Sequence, residues 1–133
     1  MIAYSEMFAQ LLKADPTFEP IWGKFCREWQ DDPQPPLYLA LGDLAAHLIA
    51  KLEMGSTESF DLIFDVIEQW HVEGDSYVRE AATVGLLEDL QNLNLHKTTR
   101  PSGFERWLGP KTSQRWADVT SFWSAPNAIA DPD

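Results

Sequence analysis

Apolar residues recur at three- and four-residue spacings along most of the chain, a pattern typical of amphipathic helices. Breaks containing proline or glycine divide this pattern into about seven segments, because neither residue continues a helix easily. The segments predict helices over 4–14, 20–29, 37–54, 57–71, 76–93, 102–109 and 110–123. No stretch alternates apolar and polar residues as a half-buried strand does. We therefore predict an all-α, single-domain bundle of six to seven helices, arranged as antiparallel helix pairs over 1–124, with a flexible tail over 125–133.

The predicted helix over 37–54 is the most apolar part of the chain. Its polar residues Asp43, His47 and Lys51 recur every four positions and form one narrow stripe. The remaining positions are apolar nearly all round, which predicts a helix buried on most sides. In the helix over 76–93, Gly85 is expected to allow close helix approach. The last helix is predicted to have on its inner side Trp116, Val119, Phe122 and Trp123.

Composition narrows the class of protein. Hydrophobic residues make up 44% of the 133 residues and charged residues 23%, the balance of a folded globular domain. The formal net charge of −11 argues against nucleic acid or an anionic membrane as the main partner, since both require clustered Lys and Arg. No apolar run is long enough to span a membrane, and the first residues lack a signal-peptide pattern, so a cytoplasmic location is expected. The single cysteine, Cys26, excludes an internal disulfide, and its position beside Trp22 and Trp29 predicts a buried thiol.

The negative charge is concentrated in one region. Ten acidic residues and one basic residue, Arg79, lie between Glu53 and Asp89. In the fourth predicted helix, four carboxylates fall within a sector of about 80° at 3.6 residues per turn, and they are Glu58, Asp61, Asp65 and Glu68. Glu73 and Asp75 extend this row into the following turn. The row is either a solvated face or a docking surface for a strongly basic partner.

The opposite sector of the same helix is apolar. It contains Phe60, Ile63, Phe64, Ile67 and Trp70. Trp70 is interpreted as a core residue or, alternatively, as an exposed anchor of the binding surface, because tryptophan is enriched at interface hot spots. The candidate partner-binding residues are therefore Glu58, Asp61, Asp65, Glu68, Trp70, Glu73 and Asp75.

Few residues suggest chemistry. Asp43 and His47 lie one helical turn apart, as do Glu68 and His71, and Glu-x-x-His matches the ligand spacing of di-iron carboxylate bundles. Such sites need the motif twice, so we predict no metal site, no cofactor and no catalytic residues. Glu88 and Asp89 interrupt an apolar helix. One of them is expected to be partly buried and satisfied by a backbone N–H or an arginine, such as Arg79, Arg100 or Arg106, and its role, structural or functional, stays open.

The stretch from Leu39 through Asn92 carries a resemblance, and its motifs lie in its tail, segment 73–92. This tail reads EGDSYVREAATVGLLEDLQN, a Gly-Asp turn followed by an apolar helix, and a Gly-Pro-Lys…Trp segment closes the chain's helical part. These motifs resemble a family of small acidic all-helical bacterial proteins that look like immunity proteins of polymorphic or contact-dependent toxin systems. The resemblance covers about two-thirds of the chain and implies an all-helical fold and a bacterial toxin as partner. No binding residue is carried over from it.

The acidic row and the resemblance agree on one expectation. The chain is expected to be an immunity protein, not an enzyme, that neutralises a basic, nucleic-acid-directed toxin domain through its acidic helical surface. The alternatives are a helical metal-binding protein or enzyme that uses His47, Asp43, Glu68 and His71, and a generic helical adaptor. The sequence leaves the oligomeric state and the identity of the toxin open.

Overall fold

A computed structural model describes residues 1–123, and these residues fold as helices without a strand. The α-helices are α1 (Met7–Ala14), α2 (Glu19–Glu28), α3 (Leu37–Met54), α4 (Phe60–Glu73), α5 (Ser76–Glu80), α6 (Glu88–Leu90) and α7 (Pro110–Trp123). Three 3-10 helices cover Pro16–Phe18, Leu93–Leu95 and Pro101–Trp107. The all-α prediction is confirmed. The predicted tail over 125–133 lies outside the described residues.

A π-helical segment, Ala81–Leu87, joins α5 to α6. Residues 76–90 are therefore one continuous helix, hereafter the 76–90 helix, which packs against α3. A Cβ at Gly85 would lie 3.0 Å from Leu41 Cδ1 and 3.2 Å from the Tyr38 ring. The prediction that Gly85 allows close helix approach is thus confirmed, because any side chain there would press on α3.

The core forms where α3, α4 and the 76–90 helix meet. The buried residues of α3 follow helical spacing, and they are Leu37, Ala40, Leu41, Leu44, Ala45, Leu48 and Ile49. Helix α4 packs on α1 and α7 through its own apolar side. Gly55 ends α3 with φ of 74°, a left-handed conformation that glycine adopts without steric cost.

Several helix limits differ from the predicted ones. Helix α4 begins at Phe60 without a side-chain cap, three residues after the predicted start at 57. The 76–90 helix ends three residues before Leu93, and the segment predicted over 102–109 is a 3-10 helix. Short turns with Asn or Gly permit either continuation or termination of a helix, so local sequence fixes such limits poorly.

Two predictions of burial are wrong. Phe122 and Trp123 are 53% and 51% exposed, and the buried residues of α7 are Thr112, Trp116 and Val119. Cys26 is exposed, since Phe25 faces the core and the next residue lies about 100° round the helix. Helix α3 is buried or half-buried on most sides, as predicted, and leaves one side open, where Leu39 is exposed.

The N-terminal segment is held against the turn between α4 and α5. The Ile2 backbone N–H donates to Glu73 O at 2.7 Å, and the Asp75 N–H donates to Ile2 O at 2.8 Å. This contact is an isolated parallel bridge between Ile2 and Gly74. Within the described part of the chain, the helices are too short or too polar to cross a bilayer.

Candidate functional site

The outer side of α4 carries most of the predicted acidic row. Glu58, Asp61, Asp65 and Glu73 are exposed, and we refer to these four as the acidic face. Asp61 and Asp65 lie one turn apart, where like charges destabilise a helix by a few tenths of a kcal/mol. Within residues 1–123, none of these four carboxylates lies within 4 Å of a lysine, arginine or histidine nitrogen.

Two apolar side chains share this outer side. Leu62 is 58% exposed and Val72 is 49% exposed. At 100° per residue, Val72 falls between Asp61 and Asp65, and Leu62 lies about 60° beyond Asp65. The sequence analysis missed them, although their angular position was available from the helical pattern. The outer side therefore combines uncompensated charge with exposed apolar area.

The prediction that Glu68 belongs to the exposed acidic row is wrong, because its carboxylate is hydrogen-bonded inside the molecule. Oε2 accepts from the Lys111 backbone N–H at 3.0 Å, and Oε1 accepts from the Thr112 N–H at 2.9 Å and hydroxyl at 2.8 Å. These bonds satisfy free N–H groups at the start of α7. Gly109 leaves the necessary space, since a Cβ there would lie 2.6 Å from Glu68 Cδ. Glu68 is thus a helix cap supplied by another helix.

The pKa of Glu68 reflects two opposing influences. Burial acts to raise it, but the hydrogen bonds from Thr112 and Lys111 bring the pKa below the usual value for glutamate. The carboxylate is therefore ionised at neutral pH and keeps its capping bonds. Because these hydrogen bonds occupy the Glu68 carboxylate, it contributes little to the binding of a partner protein.

Trp70 is not an exposed anchor. Its side chain is fully buried, and Nε1 donates to Met7 O at 3.1 Å, which ties α4 to α1. The indole lies on the apolar side of α4 with Ile67, so the same helical geometry that exposes Asp65 buries it. Asp75 also has a local role, since its side chain caps α5 by accepting from the Val78 N–H at 2.9 Å.

His71 is buried next to Glu68. Its Nδ1 lies 2.9 Å from Ile67 O and 3.2 Å from the Thr112 hydroxyl, and its Nε2 lies 3.1 Å from the Thr83 hydroxyl. A carbonyl oxygen only accepts, so Nδ1 carries the proton and Nε2 accepts from Thr83. Burial lowers the pKa of His71 despite the opposing effect of the Ile67 carbonyl and Glu68. The ring is therefore neutral and fixed in one tautomer.

A cleft opens beside His71 between the end of α4, the 76–90 helix and α7. Its volume is about 720 Å³. We refer to it as the basic cleft, and its charged and polar lining includes His71, Arg79, Glu80, Thr83, Lys111 and Arg115. Three cations come together here in a chain with a net charge of −11. Sequence reasoning missed this cleft because its cations lie at separated positions in the chain.

The other predicted histidine pair has a different partner. His47 Nε2 lies 2.9 Å from Asp15 Oδ2 and 3.2 Å from the Thr17 hydroxyl, whereas Asp43 is exposed. Lys51 Nζ also approaches Asp15, at 4.0 Å. The polar stripe of α3 therefore holds the buried Asp15 carboxylate at the end of α1. In the described range, 1–123, no group of three or more His, Cys, Asp or Glu is placed to hold a metal ion.

Glu88 and Asp89 are both half-buried, as expected for at least one of them. Burial raises the pKa of Asp89, and burial together with the Asp89 charge raises that of Glu88. Within residues 1–123, no ion pair joins either carboxylate to Arg79, Arg100 or Arg106. Asp89 instead packs against α3, since its Oδ2 lies 3.3 Å from the position of a Cβ at Gly42.

Comparison with protein families gives one match. The model of a family described as a domain of unknown function, DUF7674, matches residues 8–124. This range covers most of the chain and every helix of the described residues except the first residue of α1, so the chain belongs to that family. No curated protein and no solved structure is detectably similar to it.

Proposed function

We propose that this member of the DUF7674 family is an immunity protein, a non-catalytic inhibitor that binds a basic bacterial toxin domain through the acidic face. The observation that carries the proposal is a set of exposed carboxylates, Glu58, Asp61, Asp65 and Glu73, with no cationic partner within 4 Å in residues 1–123. The resemblance of segment 73–92 to immunity proteins supports the same proposal.

The arrangement of charge favours docking over simple solubility. A surface that serves solubility alone is satisfied by mixed charges, and lysines at i,i+4 would remove the repulsion between Asp61 and Asp65. Basic residues are instead absent from the described outer side of α4. A basic surface that binds there relieves the repulsion between Asp61 and Asp65. The repulsion that slightly destabilises the free protein therefore favours binding.

A basic toxin groove is the complementary surface. Enzymes that act on nucleic acid carry Lys and Arg where the phosphates bind, and carboxylates can occupy those positions. Long-range attraction also raises the rate of encounter. Leu62 and Val72 supply exposed apolar area beside the charges, as the desolvated centre of an interface requires. The proposed interface therefore has both a steering and a contact component.

The test is a co-expression and binding experiment with the toxin domain encoded beside this gene. The full-length chain should protect cells that express the toxin domain and should co-purify with it. The Asp61→Lys/Asp65→Lys variant should associate about tenfold or more slowly, since repulsion replaces attraction at the encounter. The wild-type association rate should also fall as the Debye length shrinks from about 30 Å at 0.01 M salt to about 8 Å at 0.15 M.

A matched control separates location from total charge. Glu28→Lys/Asp31→Lys makes the same change in net charge at exposed positions at the end of α2 and just beyond it. This control should associate and protect nearly as well as the wild type. Equal protection by all three proteins would show that the acidic face is only a solvated surface.

A further inference from the structure

We propose that the basic cleft binds a phosphate group, either free phosphate or the phosphate of a small organic molecule. This role is separate from the proposed docking of a toxin on the acidic face. The basic cleft lies at the C-terminal end of α4, where His71 and Val72 line it, and its cations come from the 76–90 helix and α7. Three of the ten Lys and Arg residues of the chain line this one concavity.

The three cations retain most of their capacity for an anion. Arg79 donates to the Gly74 carbonyl at 2.9 Å, and that partner is neutral, so the guanidinium charge stays uncompensated. Arg115 pairs with Asp118 at 2.7 Å, but both side chains are exposed, and ion pairs between exposed side chains are weak. Lys111 forms no ion pair within residues 1–123.

The size and polarity of the basic cleft suit a small molecule. Its volume of about 720 Å³ is within the range of small-ligand sites, about 300–1,000 Å³. The Thr83 hydroxyl adds a neutral polar group, and its proton is committed to His71 Nε2. A ligand at this position therefore meets a wall of fixed geometry formed by α4 and the π-helical segment.

A phosphate fits the charges better than a carboxylate does. A phosphate ester carries about −1.5 to −2 charges at pH 7 and offers three acceptor oxygens. Arginine pairs with phosphate through two parallel N–H donors, and two arginines are available here. Glu80 also lines the basic cleft and opposes any anion. A group with close to two negative charges therefore balances the three cations and Glu80 better than a carboxylate with one negative charge does.

Calorimetric titration of the full-length chain tests the proposal at constant ionic strength. The probes are inorganic phosphate, ribose 5-phosphate and neutral ribose. Both phosphates should bind saturably at one site, and ribose should not bind. Tighter binding of ribose 5-phosphate than of inorganic phosphate would support an organic phosphate as ligand, and equal binding would support free phosphate. Saturable binding of ribose itself would overturn the phosphate assignment.

Variants locate the site. Lys111→Gln/Arg115→Gln should weaken phosphate binding about tenfold or more, because two charge-assisted contacts are lost. Lys24→Gln/Arg27→Gln, at exposed positions of α2, makes the same charge change and should leave the affinity unaltered. Glu80→Gln should strengthen binding, an effect that a merely structural role of Glu80 does not predict.

Two results would overturn the proposal. One is the absence of saturable phosphate binding by the wild-type chain. The other is equal weakening in the α2 control, which would indicate nonspecific attraction. The titration contains no toxin domain, so its outcome is independent of whether the acidic face docks one. If Lys111→Gln/Arg115→Gln fails to fold, the wild-type and Glu80→Gln titrations still decide the question.

Discussion

The acidic face and the basic cleft both involve helix α4, but their charged groups are arranged in opposite ways. On the outer side, Asp61 and Asp65 are exposed without a cationic partner in residues 1–123. Where α7 and the 76–90 helix cover α4, Glu68 accepts three hydrogen bonds, and His71 is fixed by three neighbours. Asp65 and Glu68 are only three residues apart, yet Asp65 can be replaced without harm to the fold, whereas Glu68 stabilises it.

The comparison teaches that a row of like residues in sequence is not one functional unit. Asp61, Asp65 and Glu68 fall in one sector of the helical wheel, but α7 covers only the last of them. Its N-terminal N–H groups need an acceptor, and Glu68 is within reach. Substituting all three residues together would therefore mix an interface effect with the loss of a cap.

The largest effect should come from the buried side of α4. Phe64→Ala should lower the free energy of unfolding by about 3–5 kcal/mol, because the ring is fully enclosed and packs on Phe60 and Phe104. Leu62→Ala, two residues away on the outer side, should change it by at most about 0.5 kcal/mol. Urea unfolding of both variants measures the contrast. Similar losses in the two variants would show that the outer side is covered in solution.

A second pair compares two carboxylates one turn apart. Glu68→Ala should cost about 1.5–3 kcal/mol, since N–H groups at the start of α7 lose a charged acceptor. Asp65→Ala should be within about 0.5 kcal/mol of the wild type. Chemical denaturation at neutral pH, with tryptophan fluorescence as the probe, gives both values. If Asp65→Ala is the more damaging variant, the assignment of roles within α4 is wrong.

The limits of prediction follow from the same contrast. Periodicity alone correctly predicts the all-α fold, the limits of α3 and the apolar side of α4, because these depend on spacing within one helix. The capping of α7 by Glu68 joins residues more than forty positions apart. Nothing in the local pattern distinguishes Glu68 from Asp65, so the predicted row included both.

The basic cleft illustrates a second limit. Arg79 lies within the acidic region and Lys111 and Arg115 lie outside it, so counting charge along the chain hides their proximity. Trp70 shows the reverse case, because its position at the helix end suggested exposure while its angular position predicted burial. Tertiary contact with Met7 decides in favour of burial.

A third prediction uses pH to probe the inner side. Burial lowers the pKa of His71 from 6.5, so the unfolded chain takes up a proton there before the folded one does. The stability linked to His71 is therefore complete above pH 6.5 and declines as the pH falls below it, by at most about 1.4 kcal/mol per pH unit. Urea unfolding at pH 7, 6 and 5 should show this decline.

The His71→Gln variant isolates that contribution. Its stability should depend less on pH between 7 and 5 than the wild-type stability does. Glu88 and Asp89, whose raised pKa values favour the folded state as pH falls, are present in both proteins and cancel in the difference. Glu68, with a lowered pKa, destabilises the fold only as the pH falls below about 4.5. Identical pH profiles for the two proteins would mean that His71 is accessible to solvent.

The smallest effect on folding should come from the acidic face itself. Asp61→Lys/Asp65→Lys removes an i,i+4 pair of like charges, which is worth a few tenths of a kcal/mol. Asp61 lies in the first turn of α4, where a negative charge is favoured by a similar amount, so the two contributions nearly cancel. The melting temperature should therefore stay close to that of the wild type in low salt. A large drop in the melting temperature would show that Asp61 and Asp65 stabilise the fold. They would then not be surface residues that are free to serve binding alone.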